Sequence, residues 1–268
     1  ILSGTGSVTK QNVGTLIVKG VNTYTGGTTV SAGILQGNAT SLPGNILNNA
    51  AVVFDQEIDG TYAGAISGTG SVTKQNVGTL IVKGPNNYSG GTTVSGGILQ
   101  GDTTSLTGDI INNATVVFDQ ASNGTYAGVI SGSGSLTKSN NNKTLILTGP
   151  NNYSGGTTVS GGTLQGNTTS LPGNILNNAA VVFDQEIDGT YAGAISGTGS
   201  VTKQNVGTLI VKGPNNYSGG TTVSGGILQG DTTSLTGDII NNAAVVFNQA
   251  SEGTYAGTIS GTGSVTKQ

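Results

Sequence analysis

The chain has 268 residues, 48 of them Gly and 5 Pro, with 34% hydrophobic residues, 8% charged residues and a net charge of −3. Its Gly and Pro stay below the roughly 25–30% that argues for disorder, and low charge with this much apolar content argues for a folded chain. With no His or Cys, and with Lys as its only base, it lacks the residues for zinc, haem or iron–sulfur sites, for Cys or His nucleophile–base pairs and for an Arg-bearing nucleic-acid patch.

No apolar run reaches the about 18 residues of a membrane-spanning helix. The order along the chain is set by repetition. The heptad Gly4-Thr5-Gly6-Ser7-Val8-Thr9-Lys10 returns at Gly68, Gly132, Gly197 and Gly261, with the step from Gly132 to Gly197 one position longer than the others. Residues 41–114 recur letter for letter at 170–243, so two versions of the unit alternate. The expected organisation is one continuous segment over 1–268, with units 4–67, 68–131, 132–196 and 197–260 and a partial unit 261–268. A chain that starts and stops inside a unit reads as a slice of a longer protein, with any export signal outside it.

Within the first unit the short β-branched runs are, in order, Val8 to Lys10, Thr15 to Lys19, Thr28 to Val30, Ile34-Leu35, Asn45 to Leu47, Ala51 to Phe54, and the residues around Ile66. Gly, Asn, Ser and Asp clusters separate them, which is the pattern of strands and turns, and no helical stripe occurs. Ala51 becomes Thr115 and Ala65 becomes Val129 in the next unit, while Val52/Val116, Phe54/Phe118 and Ile66/Ile130 hold. Neighbouring strand residues face opposite ways, so the fixed set points inward. The same parity places Val8, Leu16, Val18, Val30, Leu35 and Ile46 inside, with Lys19, Asp55, Glu57 and Asp59 facing water.

A propeller blade or a sandwich domain fits a period of about 64 residues poorly. Coils of three short strands, stacked at about 4.8 Å, fit it well. At roughly 21 residues per coil, a unit makes about three coils. The expected fold is all-β, a parallel β-helix (solenoid), with Gly at its corners.

The runs Gly68 to Lys74, Gly78 to Gly84, Asn87-Tyr88-Ser89-Gly90-Gly91-Thr92-Thr93-Val94 and Gly97-Ile98-Leu99-Gln100 together resemble the autotransporter passenger-associated β-strand repeat of Gram-negative surface proteins. Versions start at Gly4, Gly68, Gly132 and Gly197, with a stub at Gly261. The resemblance implies a right-handed parallel β-helix, exported through an outer-membrane β-barrel lying elsewhere in the full chain, and displayed or shed outside the cell. It also implies a link between the repeat and efficient passenger secretion. The third copy departs from the pattern, with Ser139-Asn140-Asn141-Asn142-Lys143 at its second turn.

Candidate chemistry is sparse. Asp55, Glu57 and Asp59 recur as Asp184, Glu186 and Asp188, an alternate spacing that suits Ca²⁺ or an acid–base pair. The other units read Asp119, Ala121, Asn123 and Asn248, Ala250, Glu252, so the cluster dissolves in alternate repeats and reads as a solvated edge. Gly26-Gly27-Thr28-Thr29 reads as a tight corner rather than an anion cradle. Tyr24, Tyr88, Tyr153 and Tyr217 read as rings sealing a corner of the bore. Asn48-Asn49 and their copies suit turns, and the nine Lys read as solubility charges. No catalytic, cofactor or metal residue is expected.

The function expected is a non-enzymatic structural and adhesive shaft. Its expected partners are host or bacterial surface ligands and like copies of itself, with no nucleic acid. A self-assembling extracellular filament is the alternative. A β-helix enzyme acting on polysaccharides is disfavoured, because an active site is singular and every candidate here is copied.

Overall fold

A computed structural model describes residues 1–139 and 142–268, and every element in it is a short β-strand. Contacts divide the chain into two compact units, residues 1–119 with 127–135, and residues 120–126 with 136–268.

In the first unit, parallel ladders carry each strand onto the next coil. Val8 lies beside Thr28, Thr28 beside Ile46 and Ile46 beside Ile66, so each coil closes where the chain comes back over itself. A second sheet runs Thr15, Ile34, Ala51, Ser71 in the same way. The third wall begins with Gly60–Tyr62 and continues through Thr79–Val82, Ile98–Gly101 and Thr115–Phe118. The second unit stacks the same way, for example Thr144–Leu147 on Thr163–Gly166 on Ala180–Asp184 on Ser200–Gln204. The fold is the expected parallel β-solenoid.

These coils are shorter than the roughly 21 residues estimated from the repeat, and this has a geometric consequence. Three returns carry the chain from Val8 only as far as Ile66, whereas the copy of Val8 in the next repeat is Val72. One repeat therefore winds slightly further than three turns, and copies of the heptad strand land on different sheets. In the second unit, the strand ending at Lys138 pairs with Thr157–Val159, Ser200–Gln204 lies in the sheet of Thr144–Leu147, and Ser264–Lys267 lies in that of Ala244–Phe247. Within each unit, successive copies therefore turn to different walls.

The bore is filled by the inward set. Val30, Leu35, Ile46, Val52, Phe54 and Ile66 are buried as expected. Phe54 meets Tyr62 edge-on, ring centroids 5.0 Å apart, and the pair recurs as Phe183–Tyr191 at 4.9 Å. Three inward assignments differ. Leu16 is 39% exposed, and Val8 and Val18 are half-buried. Their copies Val72, Leu80 and Val82 are buried, because those strands have a coil on both sides, whereas the strands of Val8 and Leu16 end their ladders. Glu57, Asp59 and Lys19 are exposed, and Asp55 is half-buried.

Candidate functional site

The polar groups that distinguish this chain lie between coils. Lys10, Lys74, Lys138 and Lys203 are buried, which overturns their assignment as solubility charges. Strand parity puts Lys10 on the side of Val8, so the chain must satisfy an ammonium in the bore. Lys74 Nζ donates to the carbonyls of Gln75 (3.0 Å), Asn76 (2.7 Å) and Gly96 (2.8 Å). Lys10 and Lys203 repeat this with Gln11, Asn12 and Ala32, and with Gln204, Asn205 and Gly225. Three donors meet three backbone carbonyls, which is full satisfaction for an ammonium.

Local conformation aims those carbonyls. Asn76 adopts φ 65°, a left-handed bend that Asn tolerates, and Gly97 adopts φ 63° on the neighbouring coil. A Cβ at Gly97 would sit 2.8 Å from the Lys74 ammonium, so Gly is required there. Burial lowers the Lys74 pKa below the usual lysine value, against the opposing pull of Asp55 and Asp59, and Lys203 is lowered in the same way beside Asp184 and Asp188. Lys138 donates to Ser139 (3.1 Å) and Gly161 (3.2 Å); Asn140 and Asn141 of the third-copy turn lie outside the described residues.

Two Asn series clamp the coils further. Asn86 accepts from Ile66 N on one coil at 2.7 Å and donates to Ser105 O on the other at 2.7 Å, and Asn215 does the same with Ile195 and Ser234. Sequence reading passed over Asn86; its signal was its place at an inward parity position two residues before buried Tyr88. The first Asn of each pair, as at Asn48, is buried and donates to Ser71 O at 2.8 Å, so it bonds to backbone rather than forming an amide ladder.

Tyr24, Tyr88, Tyr153 and Tyr217 are buried, each hydroxyl 2.6 to 2.7 Å from a Thr hydroxyl four residues on, as expected of corner-sealing rings. The Gly-Gly corner is likewise a close contact. A Cβ on Gly90 would lie 2.5 Å from the Gly70 carbonyl carbon one coil away.

The acidic series lies along the outer edge and bonds to neighbouring coils. Asp59 accepts from Thr79 N at 2.7 Å, and this bond holds its carboxyl pKa below the ordinary value. Asp55 accepts from Gln36 at 2.9 Å and from Asn76. Among the described residues no group of three or more metal-ligating side chains converges. The outer surface carries a recurring cleft beside this series. One copy, about 310 Å³, is lined by Ile17, Lys19, Gln36, Asn38, Asp55 and Glu57, and others of about 340 and 490 Å³ lie along Ile146–Ile187 and Ile210–Asn248. Its polar rim varies, Lys19 giving way to Thr148 and Asp55 to Asn248, so it offers shallow contacts and no fixed chemistry.

Residues 8–36, 72–100, 136–165 and 201–229 match the passenger-associated-transport-repeat family, a little under half of the chain. Over 210 residues the chain is 33% identical to the adhesin BmaC autotransporter of Brucella suis biovar 1 (strain 1330), an alignment covering 63% of this chain and 6% of that protein. The chain thus spans a small fraction of that relative's length. No solved structure matches. The matched stretches coincide with the clamps: residues 72–100 hold Lys74, all three of its carbonyl partners, and the Tyr88–Thr92 bond. Four stretches of the chain are thus similar to passenger-associated-transport-repeats of autotransporters, carried on a parallel β-solenoid in which each repeat locks one coil onto the next.

Proposed function

We propose that this chain is a non-enzymatic, adhesive stretch of an extracellular passenger, displayed at a bacterial surface or shed from it. The observation that carries the reading is the turning of successive copies of one repeat onto different sheets within each unit, combined with the similarity to an autotransporter adhesin. Repeated weak contacts gain strength by multivalency, and copies on different walls present the same outward residues in several directions. Surface ligands and like copies of the chain are its partners in this reading, and an outer-membrane β-barrel elsewhere in the full protein is its translocator.

The test compares cells displaying the complete parent protein with cells whose copy lacks residues 68–196, two whole repeats. At matched surface amounts, adhesion to coated surfaces and to host-cell layers should fall several-fold. Unchanged adhesion would sink the adhesive reading, and cleavage of a polysaccharide in an activity screen would sink the non-enzymatic one.

A further inference from the structure

Asparagine-linked glycosyl transfer reads Asn-X-Ser/Thr with X other than Pro, in an exposed segment. The chain contains eight such tripeptides. The structure divides them by what their side chains already do. Asn38 Oδ1 accepts from Thr40 N, from the Thr40 hydroxyl and from Ser41 N at 2.9 to 3.1 Å, and Asn167 repeats this turn with Thr169 and Ser170. In both, the carboxamide and the hydroxyl that a transferase must grip are bonded to each other. Asn113 accepts from Ser133 N while its Thr115 hydroxyl meets Ser135, and Asn123 accepts from Thr144 N at 2.9 Å. Asn142 adjoins residues outside those described.

The remaining three are the copies Asn87-Tyr88-Ser89, Asn152-Tyr153-Ser154 and Asn216-Tyr217-Ser218. Asn and Ser are exposed in all three and the intervening Tyr is buried, so carboxamide and hydroxyl stand side by side on the outer face. Among the described residues neither side chain makes a hydrogen bond. In two of the copies backbone bonds fix the chain: Asn87 N and Ser89 N donate to Ile66 O and Gly68 O at 3.0 Å, and Asn216 N and Ser218 N do the same with Ile195 O and Gly197 O. These bonds set Asn87 beside Ser67 and Asn216 beside Ser196, small residues that leave room for a bulky substituent. The first copy has Thr23 where the others have this Asn.

We propose that Asn87, Asn152 and Asn216 are glycosylation acceptors. A transferase would supply a sugar activated by a diphosphate leaving group. Asn Nδ2 bonds to the anomeric carbon, the bond from that carbon to the diphosphate oxygen breaks with its electron pair, and one Nδ2 proton passes to the transferase's base. No change of oxidation state occurs. The sugar projects from an ordered wall, so it coats the surface without disturbing the coils.

Peptide mapping by mass spectrometry, on the passenger isolated from the cells that make it, tests this directly. Sugar should be found on the peptides carrying Asn87, Asn152 and Asn216, and not on those carrying Asn38 or Asn167. At the first site it should vanish in Asn87→Gln and in Ser89→Ala and persist in Ser89→Thr; both side chains point outward, so these variants should fold. Unmodified Asn at all three sites, or equal modification at Asn38 and Asn167, overturns the proposal. Adhesion is a separate readout: a passenger without sugar that still adheres defeats this inference alone.

Discussion

Replacing Lys74 by Ala strands the carbonyls of Asn76 and Gly96 where two coils meet, while the Gln75 carbonyl keeps its bond from Gln56 N. Each unpartnered carbonyl costs on the order of 1 kcal/mol after water enters, so Lys74→Ala should lose about 2 kcal/mol. Lys83→Ala, at an exposed position, should change stability by less than about 0.5 kcal/mol. Denaturant unfolding of both variants checks this, and equal losses would show that the cage contributes nothing. Tyrosines set the alkaline limit. Burial pushes the Tyr153 hydroxyl up to about 12, against the bond to Thr157, and burial also raises Tyr62, Tyr88, Tyr191 and Tyr217. Unfolded tyrosines lose protons near pH 10 while these folded ones hold theirs, so the unfolded chain binds fewer protons and stability falls as pH rises from about 10. Lys74 and Lys203, lowered by burial, act with the opposite sign up to the unfolded lysine value of 10.5, and are fewer. Phenolate absorbance and β-sheet circular dichroism should change together, well above pH 10. Full tyrosine ionisation near pH 10 with the sheet signal intact would contradict this burial.

At the scale of elements, an apolar bore and glycine corners bring the coils into close contact. Leu80 is fully buried, so Leu80→Asp should unfold the coils on both sides of it, an unpaired buried carboxylate costing several kcal/mol. Gly90 carries no side chain because the Gly70 backbone occupies the space, so Gly90→Ala should force neighbouring coils apart at a cost of about 1–3 kcal/mol. Gly14→Ala, whose added methyl would meet nothing within 4 Å, should be tolerated. Thermal melting of the pair separates close approach from simple loss of glycine. The inward and outward faces of these strands were legible in the alternation of fixed and drifting residues, as Val52 and Phe54 show. The caged lysine was legible in the same alternation, since Val8 and Lys10 share a side, but composition argues that Lys belongs outside. The third carbonyl of its cage, from Ala32, lies a full turn further along the chain, and it completes the partners that make the burial tolerable.

For the molecule as a whole, a stack bound by nearest-neighbour ladders should gain stability with each added repeat. A single repeat of about 64 residues has three coils and two open ends and should be marginal, and four repeats should melt clearly higher. EDTA should leave both melting temperatures unchanged, because the carboxylates of Asp55 and Asp59 accept from Gln36, Asn76 and Thr79 within the chain. A drop of several degrees in EDTA would restore a metal to the acidic edge.

Repeat period, strand character, most of the apolar bore-facing residues and the absence of His and Cys chemistry were determined by the sequence alone, because each is a local or periodic property of the chain. The direction each repeat faces was decided by tertiary structure. Coil length depends on where corners close, and it varies from turn to turn: the return from Thr28 to Ile46 is shorter than the one from Ile46 to Ile66. Backbone ladders select those lengths, and no single motif states them. The roles of Lys74, Asn86 and Asn87 were decided there too. A polar side chain becomes a clamp or a free surface group according to which carbonyls the neighbouring coils bring within reach, and that is a property of the stack.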